Sequence, residues 1–208
     1  MKIIAQSLSE QVYDLVKSEI LKGNMKGGEK ISEDKLAEQF GVSRTPVREA
    51  LRRLSEYGLI SLAPRSHACV VKVSKEAAKD IANLRVALEL FAISHINKTK
   101  FETTLPQLSR YAADCQYANS VGERAKSFEL DSLFHITLIA ATANEALIDV
   151  YNRLDAKIQL LRIEQNLPEK ILSGYLMQHT QLIQFLKDGN TEEAQNLIKE
   201  HITHNAIS

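Results

Sequence analysis

The chain has 208 residues, 44% of them hydrophobic and 25% charged, so it can bury one large core or two small ones. No apolar run approaches the roughly 20 residues that a membrane span needs, which excludes an integral helical membrane protein. The formal net charge is +0, but it is unevenly spread. Residues 1–74 carry 12 Lys+Arg against 9 Asp+Glu, and residues 75–208 carry 14 against 17. The basic excess falls where contact with phosphate would use it.

The opening MKIIAQSLSEQ turns polar too soon for a signal peptide. Two cysteines, Cys69 and Cys115, are too few for a disulfide framework. Reduced packing thiols and a cytoplasmic location are the expectation.

Residues 8–23 read as a helix, with Val12, Leu15, Val16 and Ile20 on one face and Gly23 as its stop. Residues 24–30 contain Gly27-Gly28 and read as a loop. Ser32 to Phe40 opens with a capping serine and two acids, Glu33 and Asp34, as a helix N-terminus favours. Gly41 then permits a turn. A second helix over 43–57 follows, with Ser43 placed to cap it and Pro46 in its first turn. Val47, Ala50, Leu51 and Leu54 form its buried stripe. Arg44, Thr45, Arg48 and Arg52 are left for the exposed side. A helix presenting arginines from its first turns suits a DNA major groove, because arginine pairs bidentately with guanine.

Gly58 ends that helix and the period changes. Residues 59–62 and 69–73 are short, apolar and β-branched, with Pro64 between them, and read as a two-stranded hairpin. Three helices and a hairpin make a winged helix-turn-helix over residues 1–73. Arg65 and His67 fall at the wing tip, within reach of DNA backbone. From Ser74 onward strand signals vanish. Helical patterns over about 74–97, 103–119, 122–141, 144–165, 168–188 and 191–206 predict an all-α bundle for residues 74–208. The fold class is therefore mainly α, a winged helix-turn-helix followed by a helical effector domain.

Asp131 and His135 stand four residues apart, on one helical face, where a carboxylate and an imidazole can share a divalent ion. His179, and His201 with His204 close by, sit on later apolar stripes. Several inward ionisable groups in an apolar bundle are costly unless something pairs them. His95, near a helix end, reads as a surface or C-terminal partner.

The stretch Leu36-Ala37-Glu38-Gln39-Phe40-Gly41-Val42-Ser43-Arg44-Thr45-Pro46-Val47-Arg48-Glu49-Ala50-Leu51 resembles the most specific signature of GntR-family transcriptional regulators. Residues 74–206 resemble the FCD effector domain of the FadR-type branch. The resemblance implies operator contacts by Arg44 and Arg48, with Ser43, Thr45 and Arg52 near phosphates. Some relatives carry a DNA-contacting arginine where this chain has Asp34, and Lys35 is the candidate to take over that contact. The glycine many relatives have at the wing tip is replaced by Arg65-Ser66-His67-Ala68.

The resemblance also implies a divalent metal held by Asp131, His135, His179 and His201, with His204 as a substitute for His201. Zinc suits three imidazoles and a carboxylate, and nickel or manganese also fit. It implies a small carboxylate effector bound with help from Arg85, in Leu84-Arg85-Val86-Ala87-Leu88-Glu89. Read from the residues alone, Arg85 instead pairs with Glu89 four residues on. The expected function is a homodimeric, ligand-responsive repressor on a double-stranded operator. The alternatives are a regulator for which metal is the signal, a purely structural metal, and a metalloenzyme using the Asp/His site.

Overall fold

The computed structural model describes residues 6–62, 67–165 and 167–207, and side chains as far as Thr203 in the last helix. The chain divides into two compact units between Val73 and Ser74. Among the described residues no helix is long and apolar enough to cross a membrane.

The first unit holds α1 (Leu8–Leu21), β1 (Lys30–Ile31), α2 (Glu33–Phe40), α3 (Arg44–Glu56), β2 (Ile60–Leu62) and β3 (Ala68–Val70). Ser7 and Ser32 cap α1 and α2 by accepting from Glu10 N and Lys35 N. Gly41 ends α2 in the left-handed region at φ 64°, which makes the sharp turn into α3. Val47, Ala50, Leu51 and Leu54 are fully buried, and α3 packs on α1 through that face. Ser43 occupies the N-cap position of α3 but makes no capping hydrogen bond. The capping expected from sequence is therefore corrected to a positional one.

The wing also differs from expectation. It is a three-stranded antiparallel sheet in the order β1-β3-β2, not a two-stranded hairpin. Lys30 pairs with Cys69 and Ile31 with Ala68 on one side of β3, while Ile60 pairs with Val70 on the other. A two-residue strand is too short to show a period of two, so the loop read over residues 24–30 hid its first residue, Lys30. β3 ends at Val70, three residues earlier than the sequence pattern suggests.

The second unit is built from α4 (Lys75–Ser94), α5 (Lys98–Ser120), α6 (Arg124–Ala140), α7 (Glu145–Gln165), α8 (Glu169–Asp188) and α9 (Thr191–Ile207). Asn97 caps α5, whose start lies five residues before residue 103, where the helical pattern begins. Proline inside a helix loses one hydrogen bond and costs about 3 kcal/mol. Here the helix runs through it, with Thr103 and Thr104 donating to the Lys100 and Phe101 carbonyls just upstream. Burial of Phe101 and Leu108 on either side of Pro106 offsets that cost.

α6 packs on both α5 and α7 and is buried on most of its circumference. A helix so enclosed is apolar nearly all round. That makes Asp131, Ser132 and His135 on it exceptions requiring partners.

Candidate functional site

Two clusters hold the residues singled out from sequence. On the first unit, Lys35, Ser43, Arg44, Thr45, Arg48, Arg52 and His67 are all exposed. Arg65 lies outside the described residues, as does the side chain of His204. The arginines of α3 meet acids at the start of α2. Arg44 Nε lies 2.5 Å from Asp34 Oδ1, and Arg48 Nε donates to Glu33 Oε2 at 2.6 Å. Arg52 lies 3.8 Å from Glu56, one turn on along its own helix. These pairs are solvated, so they contribute little to stability. They orient the arginines without locking them. The role of Asp34 as a partner of Arg44 was not foreseen.

In the second unit every helix contributes to one buried polar centre. Asp131 and His135 come from α6, His179 from α8 and His201 from α9, and one ligand atom from each lies within 4.8 Å of the others. The three imidazole centroids form a near-equilateral triangle with sides of 5.0, 5.1 and 5.2 Å. His179 Nε2 stands 3.1 Å from Asp131 Oδ1 and 3.3 Å from His135 Nε2, while His135 Nε2 is 3.7 Å from the same oxygen. Tetrahedral zinc with bonds of about 2.0–2.1 Å has ligand–ligand edges near 3.3 Å. Three of the contacts are close to that size.

Each imidazole is oriented from behind. His135 Nδ1 donates to Glu89 Oε2 at 2.8 Å, and His201 Nδ1 to Gln178 Oε1 at 3.1 Å. His179 Nδ1 faces the Cys115 sulfur at 3.7 Å, and its ring stacks on Phe134 with centroids 4.1 Å apart. Burial, with Asp131 nearby, pushes the Cys115 thiol up to about 12. The neutral S–H donates to the Ala112 carbonyl, so the sulfur accepts from His179. Protons on Nδ1 leave the Nε2 lone pairs of His135 and His179 facing each other 3.3 Å apart. Two lone pairs at that distance repel unless a positive centre lies between them. The donor set fits a divalent cation.

The charge states agree with ligation. Burial keeps His179 below the ordinary histidine range and His201 well below it, so both rings favour the neutral, ligating form. Burial works against ionisation of Asp131, but Arg162, His135 and His179 together outweigh it and hold the carboxyl well below the usual range. Arg162 Nη2 forms an ion pair with Asp131 Oδ2, leaving Oδ1 toward the histidines.

Glu89 is the hub behind the site. It is fully buried, and Arg85 Nε donates to its Oε1 at 2.7 Å. Tyr151 OH donates to the same oxygen at 2.6 Å. Burial opposes its charge, yet His135 and Arg85 keep its carboxyl far below the usual range. Arg85 therefore adopts the Glu89 ion pair that its spacing allows, inside the bundle. Tyr151→Phe should remove a charge-assisted bond and cost about 1.5–3 kcal/mol in urea unfolding. A stability change near zero would show that Arg85 and His135 satisfy Glu89 without it.

Sequence reasoning missed Tyr151 and Arg162, and it placed Glu89 only as a partner of Arg85, not behind His135. Arg162 had a signal, since Tyr151, Asp155, Ile158 and Arg162 recur at spacings of four, three and four along α7. Cys115, read as a packing residue, packs and also supports His179. His95 caps α4, donating from Nδ1 to the Phe91 carbonyl at 2.9 Å.

Comparison with known proteins places these two clusters. Residues 8–70 match the family described as bacterial regulatory proteins, gntR family, and residues 80–204 match the FCD domain. The gluconate operon transcriptional repressor of Bacillus subtilis (strain 168) is 30% identical over 181 residues, covering 84% of this chain and 73% of that protein. The uncharacterized HTH-type transcriptional regulator YdhC of the same organism is 28% identical over 93% of this chain and 87% of its own length. The solved structure of McbR/YncC from E. coli superposes with a TM-score of 0.78 at 25% identity, covering 96% of this chain and 95% of that one. These families and relatives are regulators of transcription, which sets the metalloenzyme alternative aside. The chain belongs to the GntR family of bacterial regulatory proteins, as a DNA-binding transcriptional regulator that carries an FCD domain.

Proposed function

We propose that this protein is a ligand-responsive repressor that reads an operator through α3 and senses a small organic acid through the metal centre of its helical unit. The convergence of Asp131, His135, His179 and His201 within 4.8 Å carries the sensing part. The exposed Arg44 and Arg48 at the start of α3 support the reading part, with Lys35, Ser43, Thr45, Arg52 and His67 also exposed and Arg65 kept as a contact from the sequence alone. A homodimer in the cytoplasm would present two such helices to two half-sites about one helical turn apart.

Asp131, His135, His179 and His201 would hold the ion, and zinc suits this donor set best. The ion supplies a Lewis-acidic position for a ligand carboxylate. Glu89, Gln178 and Cys115 fix the ring orientations. Asp131 is divided between the cluster and Arg162, which links the ion to the wall of the ligand cavity. Repressor names among the relatives support the sign of regulation.

A second reading makes the metal itself the signal. One void of about 20 Å³, room for a single water, borders Asp131 and His201. An organic acid fits that void only if side chains move.

One experiment separates the two. DNA affinity is measured at fixed salt on metal-stripped chain, metal-loaded chain, and metal-loaded chain with citrate, malonate or acetate. A change only when an acid accompanies the metal supports acid sensing, and a change with metal alone supports metal sensing. Identical affinity in all states would sink both.

A further inference from the structure

The two foremost arginines of α3 meet the same kind of partner through the same atom. Arg44 Nε lies 2.5 Å from Asp34 Oδ1, and Arg48 Nε donates to Glu33 Oε2 at 2.6 Å. The arginines stand one turn apart on α3, and the acids are neighbours in the first turn of α2. That turn is firmly placed. Ser32 caps it, Leu36 is buried beside it, and a helix N-terminus favours carboxylates. The side chains of Arg44 and Asp34 are both 61% exposed, so packing does not require their pairing. A solvated pair adds little to stability. What it does add is geometry.

A guanidinium is a planar, rigid fork of five N–H donors. A carboxylate at Nε engages the side of the fork and leaves its end, the two Nη groups, for another partner. Guanine presents O6 and N7 side by side on its major-groove edge, and the end of an arginine fork can meet both. An unheld arginine on an exposed face samples many rotamers and meets phosphate as well as base, and phosphate carries no sequence information. An arginine held at Nε samples few. The same carboxylate repels phosphate oxygens, so the pair favours a base contact over a backbone contact.

We propose that Asp34 is a positioning residue for operator reading: it holds Arg44 at Nε so that the two Nη groups meet one guanine end-on. This sharpens discrimination at that base pair and lowers affinity for DNA in general. It rests on the reading of an operator through α3. Asp34 touches no base in this role and acts only through Arg44.

The test uses duplexes that each differ by one base pair from a cognate duplex recovered by selection. Affinities are measured by fluorescence anisotropy on the full chain at fixed salt. Arg44→Ala first identifies the position, as the one where a changed base pair costs wild type about tenfold and the variant little. There Asp34→Asn should cut the penalty to within about threefold and leave the penalties elsewhere unmoved. Asp34→Glu keeps a carboxylate within reach of Nε and should keep a penalty of at least about fivefold. A purely electrostatic role would change affinity for every duplex by one factor and leave every penalty as it was. An unchanged penalty in Asp34→Asn, an equal relaxation at all positions, or no rescue by Asp34→Glu overturns the positioning role. If Arg44→Ala flattens no position, Arg44 reads no base, and its place in the operator interface falls together with the role of Asp34. If it flattens one and Asp34→Asn does not, the operator contact stands and only the role of Asp34 falls.

Discussion

Arg48→Ala should weaken binding to a cognate duplex, recovered by selection with the wild-type protein, by about tenfold to a hundredfold at constant salt. Arg48 is 63% exposed and its protein partner is the solvated Glu33, so folding stability should be essentially unchanged. Loss of affinity without loss of stability is the signature of a contact residue. Asp34→Asn should act in the opposite direction. It releases Arg44 from a carboxylate 2.5 Å away and removes a negative charge from the face that meets phosphate. Affinity should rise by up to about fivefold, for unrelated duplexes as well as for the cognate one, because phosphate attraction carries no sequence information. A cognate affinity unchanged by Arg48→Ala, measured by fluorescence anisotropy, would remove Arg48 from the interface.

The pairing of Arg44 and Arg48 with α2 shows where sequence reasoning stops. Periodicity placed Val47, Ala50, Leu51 and Leu54 on the buried side of α3, because a 3.6-residue repeat is visible along one element. By elimination it placed the arginines outside. It could not place Asp34 and Glu33 against them, since contacts between helices depend on how the turn at Gly41 directs the chain. Asp131 and His135 were legible as a pair because they share a helix. The place of Glu89 behind His135 was not, because a separation of 46 positions carries no spacing signal. Arg162 lies between these cases. Its place in the α7 repeat marked it as inward, but only the folded bundle sets it against Asp131.

His135→Ala should reduce bound metal from one ion per chain to background in elemental analysis. Among the four proposed ligands, His135 is the one whose removal should do most damage, because it belongs to two networks at once. Its Nε2 faces Asp131 and His179, and its Nδ1 donates to Glu89. The variant therefore loses a ligand and also strips one of the groups that keep the Glu89 carboxylate ionised inside the bundle. Glu89→Gln isolates the second effect. It keeps all four ligand side chains but replaces a charged acceptor behind His135, and should weaken metal affinity by about tenfold to a hundredfold. Stability should follow the metal. An ion present at about 100 to 1,000 times its dissociation constant contributes about 2.7–4.1 kcal/mol to the folded state. Stripping wild type with a chelator should therefore lower its Tm, while the same chelator should leave the Tm of His135→Ala unchanged. A full complement of metal in His135→Ala, or a chelator shift as large as that of wild type, would take His135 out of the ligand set.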